Sequence, residues 1–305
     1  MSTQPEGIRQ LVVLSGKGGT GKTSVVAALA TIATDKVLAD CDVDAADLHL
    51  VLDPTIQKRE NFTSGKEARI LTDRCGACGI CMDYCRFDAI RLVRMESGET
   101  TYEIDPIACE GCGLCARVCT MGAVEMLDAD RGEWFISDTR HGPLVHARLN
   151  LGGENSGKLV TIVRDQAASL AKEVGAGTVI VDGPPGIGCP VIASVTGADL
   201  ILAVTEPTVS AAHDLERLAT LVEGFKLPLA VCINKSDINP EMSAQIRATC
   251  ADRSLPVVGE LSYDTEVVEA QVEGKSIIEH GRSAVGEQIA QMWQSIEETL
   301  RENGD

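Results

Sequence analysis

Gly16-Lys-Gly-Gly-Thr-Gly-Lys-Thr23 is the stretch on which the fold turns. The apolar run Leu11-Val12-Val13-Leu14 precedes it and the helix-like Ser24-Val-Val-Ala-Ala-Leu-Ala-Thr-Ile-Ala-Thr34 follows, so the order is strand, glycine-rich loop, helix. Gly16, Gly21, Lys22 and Thr23 meet the spacing G-x-x-x-x-G-K-[ST]. A loop of that kind turns its backbone N–H groups inward around phosphates at a helix N-terminus. Gly16, Lys17, Gly18, Gly19, Thr20, Gly21, Lys22 and Thr23 are therefore the expected phosphate cradle. Lys22 reaches the β- and γ-phosphates and the Thr23 hydroxyl holds Mg²⁺, while Gly18 and Gly19 keep side chains clear. The plainer alternative is a glycine-rich turn with no ligand.

Working outward, the strand Val37–Asp40 is followed by the acidic Asp40-Cys-Asp42-Val-Asp44-Ala-Ala-Asp47. Open parallel sheets place their ligand sites at such strand ends. A second strand, Thr178–Asp182, ends in a carboxylate that can organise Mg²⁺ through its water shell and runs into Gly183-Pro-Pro-Gly186. Strands at Leu200–Thr205, Leu229–Asn234 and Pro256–Gly259 continue a β-and-α alternation. The expected fold is α/β, a doubly wound and mostly parallel sheet. Asn234 is expected to face the nucleotide base. Asn234-Lys-Ser-Asp237 also fits a guanine-reading pattern, so GTP stays open beside ATP.

The additional lysine, Lys17, makes the loop resemble the deviant Walker A of the MinD, ParA, Mrp and nitrogenase iron-protein group of P-loop ATPases. Asp40–Asp47 resembles the switch I of that group, and Val179-Ile-Val-Asp182-Gly-Pro-Pro-Gly186 its Walker B and switch II. Thr205-Glu-Pro-Thr208 and Ile233–Asp237 resemble its later strand-end loops. The likeness covers about residues 8–65 and 132–300. It implies ATP and Mg²⁺ as cofactors, with Thr23, Asp42 and Asp182 around the metal. It also implies that Asp42 positions or activates the attacking water, that Asp40 supports it, that Asp47 senses a partner and that Gly186 can turn its N–H to a γ-phosphate. Lys17, Lys22 and Asp42 are the catalytic residues on this reading. Lys17 would reach the nucleotide of a second subunit, in a homodimer or a dimer with a related ATPase.

Between these halves the composition changes. Cys75, Cys78, Cys81 and Cys85 recur 34 residues later as Cys109, Cys112, Cys115 and Cys119. This duplication has the C-x₂-C-x₂-C-x₃-C pattern of a two-cluster bacterial ferredoxin, in which the fourth cysteine of each run crosses to the other cluster. The expected sets are Cys75, Cys78, Cys81 and Cys119 for one [4Fe–4S] cluster, and Cys85, Cys109, Cys112 and Cys115 for the other. Zinc is the competing reading, but tetrahedral zinc does not require eight cysteines in two identical quartets. Proline usually follows the fourth cysteine; here Arg86 and Thr120 do. Glycines 76, 79, 111 and 113 suit close backbone approach to a cluster. Residues 67–130 thus read as a small α+β ferredoxin domain inserted between residues 1–66 and 131–305 of the ATPase. Residues 53–69 show no sustained period and read as a connection.

With 45 acidic against 27 basic residues, the net charge of −18 disfavours nucleic acid and anionic lipid as partners. The polar start and the lack of any long apolar run fit neither a signal peptide nor a membrane span, so the expected location is cytoplasmic. Ser156 is expected to N-cap a helix from Gly157 to about Val174, and the faint phosphate-loop echo at 153–158 is better read as that helix start. Ile289, Trp293, Ile296 and Leu300 fall at helical spacing in the last segment. In MinD such a tail binds membrane, but two arginines against five acidic groups over 281–305 favour packing on the core. Cys41, Cys232 and Cys250 read as buried thiols, Cys189 as a packing residue, and His49, His141, His146, Arg148 and His280 as core or surface groups. The functional expectation is an ATPase whose nucleotide state gates low-potential electron transfer to an unidentified redox client. The alternative is a carrier or maturation ATPase that delivers a metallocofactor.

Overall fold

The structure, a computed structural model, describes residues 7–150, 152–153 and 156–302. From the N-terminus the elements are β1 (Arg9–Ser15), α1 (Lys22–Ile32), β2 (Lys36–Asp40), α2 (Leu48–Leu52), β3 (Thr55–Ile70), α3 (Ile80–Asp83), β4 (Ile90–Arg94) and β5 (Thr100–Ile104). Then come α4 (Leu114–Val118), β6 (Val124–Thr139), β7 (Gly142–Leu149), α5 (Ser156–Val174), β8 (Thr178–Pro185), α6 (Cys189–Val195), β9 (Leu200–Thr205) and α7 (Val209–Gly224). The chain ends with β10 (Leu229–Ile233), α8 (Pro240–Asp252), β11 (Val257–Glu260), α9 (Glu266–Val272), α10 (Ile277–His280) and α11 (Ala284–Glu302).

Nine strands form one sheet in the order β11-β10-β9-β1-β8-β2-β7-β6-β3. Strand β1 runs parallel to both β8 and β9, β10 parallel to β9 and β11, and β2 parallel to β8 and β7. The fold is therefore a mostly parallel α/β sheet. From Gln10 to Ser15 every residue of β1 is buried, as expected of a central strand covered by helices on both faces. Its Leu11 and Val13 pack with Val25–Ala30 of α1, and the same core takes in Ile289, Trp293, Ile296 and Leu300 of α11. That burial is what the helical spacing of the tail required. Among the described residues no helix is long and apolar enough to cross a membrane.

The chain divides into two compact units. The first comprises the residues up to Arg59, Trp134–Arg148 and the residues from Ser156 onward; the second comprises Glu60–Glu133 and residues 149–155. These divisions differ from the expected 66/67 and 130/131. The reason is β3, which makes a 16-residue strand of the segment read as an irregular connection. Thr55–Asn61 is exposed at every position, so no alternation marks it; burial begins only at Phe62 and returns at Ser64 and Ala68. In the second unit β4 and β5 form an antiparallel pair, Ile90 opposite Ile104. One buried apolar cluster in it joins Cys81, Ile90 and Tyr102, flanked by Ile70, Ala77, Ile104 and the thiols of Cys75, Cys85 and Cys115. Helix α5 starts at Ser156 itself, so Ser156 is its first helical residue and not its cap; residues 154 and 155 of the phosphate-loop echo lie outside the described residues.

Candidate functional site

The glycine-rich loop leaves β1 and closes onto α1 at Gly21, which is left-handed at φ 91°. A Cβ there would sit 2.2 Å from Asn234 Nδ2, so only glycine fits. No side chain caps α1, which leaves its first-turn N–H groups facing the loop. This is the arrangement an anion needs. Asn234 Nδ2 donates to the Thr20 carbonyl at 2.7 Å, and Asn234 Oδ1 accepts from the Lys235 amide at 3.0 Å. Asn234 thus buttresses the loop, with one N–H and one oxygen lone pair of its amide left over.

Beneath the loop three carboxylates meet one lysine. Lys22 Nζ lies 2.5 Å from Asp182 Oδ1 and 3.7 Å from Asp42 Oδ2. Lys22 is 6% exposed at its side chain and Asp182 1%, so the pair is dry. Burial opposes the Lys22 charge, but Asp182 first, then Asp42 and Asp40, outweigh it and raise its pKa. Asp40 is fully buried; its Oδ1 accepts from the Asp42 amide at 3.1 Å and its Oδ2 from the Leu48 amide at 3.3 Å. It therefore fixes the acidic loop and the start of α2, a supporting place. Burial, then the charge of Asp182, pushes the Asp40 carboxyl well above the usual range. Burial likewise lifts Asp42 to about 6.

Among the described residues no group of three or more His, Cys, Asp or Glu is placed to hold a metal ion; between Asp42 and Asp182 stands Lys22. Its ammonium fills the trough between the two carboxylates expected, with Thr23, around Mg²⁺. Asp182 Oδ2 and Thr20 Oγ1 are buried with no hydrogen-bond partner among the described residues. An orphaned carboxylate oxygen beside a phosphate loop suits the water shell of Mg²⁺ once Lys22 moves to phosphate. Gly186 donates its N–H to the Ser15 carbonyl at 2.9 Å. Turning that N–H to a γ-phosphate would break this bond.

Lys17 folds back onto its own chain. Its Nζ lies 2.9 Å from Glu206 Oε1, 3.0 Å from Ser210 Oγ and 3.3 Å from Thr208 Oγ1. Glu206 Oε2 also pairs with Lys235 at 3.0 Å, and Lys235 Nζ donates to the Gly19 carbonyl at 3.1 Å. Sequence reasoning singled out Thr205–Thr208 only as a strand-end loop; the carboxylate and the hydroxyls one, three and five residues past β9 were the signal that could have found this contact.

In the second unit the two cysteine runs interleave. A small cavity of about 20 Å³ is lined by Cys85 together with Cys109, Cys112 and Cys115, with Ala89, Ile90, Ile104 and Leu114 among its walls. Burial raises the Cys81 thiol, and the neighbouring Cys75, Cys119 and Cys78 raise it further, so Cys119 stands with the first run. Gly79 and Gly113 are left-handed caps of α3 and α4, and at Gly111 a Cβ would collide with the Lys66 carbonyl. Of the eight thiols of the two runs, Cys78 and Cys112 are exposed, Cys81 is buried and the other five are half-buried.

The remaining candidates lie elsewhere. Cys41, Cys232 and Cys250 are buried, and burial pushes Cys232 up to about 12. Cys189 is exposed at the start of α6, which removes the packing role expected of it. His146 bonds Ser137 at 2.9 Å and burial lowers its pKa to about 4, while His141 pairs with Glu279 at 2.9 Å. His280 lies 3.6 Å from Glu273, and His49 stacks on His146 at 6.5 Å. Asp47 precedes α2 without a side-chain cap bond.

Residues 11–277 match the CobQ/CobB/MinD/ParA nucleotide binding domain family. An uncharacterized protein of Methanocaldococcus jannaschii is 32% identical over 299 residues, covering 96% of this chain and 98% of that one. Among solved structures, the septum site-determining protein MinD of Pyrococcus horikoshii, complexed with Mg-ADP, superposes with a TM-score of 0.57 at 15% identity, covering 97% of this chain and 98% of that one. MinD in the MinC:MinD complex of Aquifex aeolicus gives 0.53 at 17%, covering 95% and 96%. At these identities the structures share the fold.

Proposed function

Since the chain belongs to the CobQ/CobB/MinD/ParA nucleotide-binding family, we propose that it binds and hydrolyses Mg-ATP and uses nucleotide state to gate low-potential electron transfer to a partner protein. Gly16–Thr23 cradles the phosphates. Lys22 would leave the acidic trough for the β- and γ-phosphates, which frees Asp182 Oδ1 and Asp42 to join the unpartnered Asp182 Oδ2 and the Thr23 hydroxyl around the water shell of Mg²⁺. Asp42 then orients the attacking water, and Asp40 holds the loop that carries it. Lys17 supplies positive charge to the nucleotide of a second subunit, in the manner of an arginine finger supplied in trans. The Mg-ADP of the Pyrococcus protein supports this choice of ligand, and the MinC:MinD pair supports a protein partner.

The electron-transfer side rests on one observation, that Cys85 of the first run joins Cys109, Cys112 and Cys115 of the second around one cavity. We assign Cys85, Cys109, Cys112 and Cys115 to one [4Fe–4S] cluster and Cys75, Cys78, Cys81 and Cys119 to the other, in an inserted ferredoxin-like domain. When bound, such clusters supply one-electron carriers. The chain's own part is to hold them by thiolates, exclude water with Ile90, Ile104 and Leu114, and approach closely with left-handed glycine backbone. A unit whose buried apolar side chains, among the described residues, are mostly alanines beside Phe62, Ile90 and Tyr102 also gains folding free energy from what its thiols hold.

Anaerobic purification should yield about eight irons and matching sulfide per chain, from two four-iron clusters. ATP addition to the reduced protein should reduce a client captured from the same cells. Zinc in place of iron would sink the cluster assignment. Iron moving into an apo-client without its reduction would replace electron transfer by cofactor delivery.

A further inference from the structure

We propose that Glu206, Thr208 and Ser210 form a cradle in cis that parks Lys17 in the free chain, and that escape from it sets how readily ATP assembles the dimer. This rests on the reading of Lys17 as a residue acting across two subunits. An ammonium carries three N–H donors and no more. Lys17 Nζ has three acceptors within reach, Glu206 Oε1, Ser210 Oγ and Thr208 Oγ1. The parked lysine has no donor left for a second subunit's phosphate.

The cradle is built and not incidental. Thr208 is the N-cap of α7, its Oγ1 accepting from the Ala211 amide at 3.2 Å, so the helix start fixes where both hydroxyls stand. Glu206 is anchored separately through Lys235, which also holds the Gly19 carbonyl of the phosphate loop. The carboxylate that holds Lys17 is thereby braced on the loop that nucleotide occupies. Lys17 is 32% exposed at its side chain, and pairs at that depth shift equilibria by about two- to fivefold. A hold of this size delays assembly without forbidding it.

The test compares the full-length holoprotein with its Glu206→Gln, Ser210→Ala and Glu206→Asp variants. Dimerisation is followed by sedimentation against protein concentration, with a non-hydrolysable ATP analogue. Glu206→Gln should lower the concentration for half-dimerisation about two- to fivefold. Ser210→Ala, which removes an acceptor from Lys17 and leaves Lys235 untouched, should shift it the same way by less, and Glu206→Asp should restore most of the wild-type value. Unchanged or weaker dimerisation in both Glu206→Gln and Ser210→Ala overturns the cradle. Lys17→Ala is run alongside: full ATP turnover in that variant would overturn the trans reading itself. An inactive Lys17→Ala with wild-type dimerisation in the other two would remove the cradle alone.

Discussion

At the scale of single residues, the site stores charge in a form that protons can read. Lys22 is the one cation buried among Asp40, Asp42 and Asp182. Lys22→Ala leaves Asp182 buried and unpaired, a change that costs about 3–5 kcal/mol near neutral pH. The loss should shrink by pH 5, where Asp42, lifted by burial to about 6, takes up its proton and removes one of the like charges around Asp182; urea unfolding of the variant at both pH values checks this. Asp42 offers a sign that can be worked out. Its folded pKa, about 6, exceeds the ordinary 3.8, so the folded chain binds this proton more tightly than the unfolded one. The stability it contributes is present below about pH 4 and lost as pH rises through about 6. Asp42→Asn removes that dependence, so the wild type without nucleotide should gain more in melting temperature than the variant between pH 7 and 5. Equal gains would assign the proton elsewhere.

At the scale of elements, what could be read from sequence was what repeats locally. The phosphate loop, β1, α1 and β8 announce themselves because a strand buried on both faces is a continuous apolar run and a phosphate turn needs glycine at fixed spacing. The 34-residue repeat of the cysteine spacing was legible for the same reason. Strand β3 was not: its first seven residues are exposed on both faces, and its place in the sheet comes from its hydrogen-bonded neighbour β6, 54 or more residues away along the chain. The contacts of Lys17 were equally hidden, since Glu206 lies far from it in sequence and nothing local marks the meeting. Helix α11 shows the legible kind of element. Trp293 is 5% exposed within the core, so Trp293→Ala should cost about 3–5 kcal/mol in denaturant unfolding. With the apolar face of α11 so occupied, the wild type should not float with anionic vesicles, with or without ATP; flotation would show that the helix leaves the core.

At the scale of the whole molecule, the acidic loop Asp40–Asp47 leads through α2 into β3, the strand along which the chain passes from the first unit to the second. On the proposed function, nucleotide state and cluster oxidation are linked, and linkage runs both ways: if ATP shifts a cluster's potential, reduction shifts ATP affinity by the same free energy. A shift of about 60 mV for one electron corresponds to tenfold in affinity. Calorimetric ATP binding under anaerobic conditions, with the protein oxidised and then reduced, should therefore give two different affinities. Identical affinities would leave nucleotide control over docking alone.

The two long strands carry a consequence for descent. The chain leaves the first unit along β3 and comes back along β6, and these strands are neighbours in one sheet. An insert whose ends lie side by side needs a single point of interruption in the host gene. A lineage can gain such a segment, or lose it, in one rearrangement that leaves the order β11-β10-β9-β1-β8-β2-β7 unbroken. On the proposed reading of the second unit as an insert, the phosphate-loop unit and its cysteine-rich segment are separable parts.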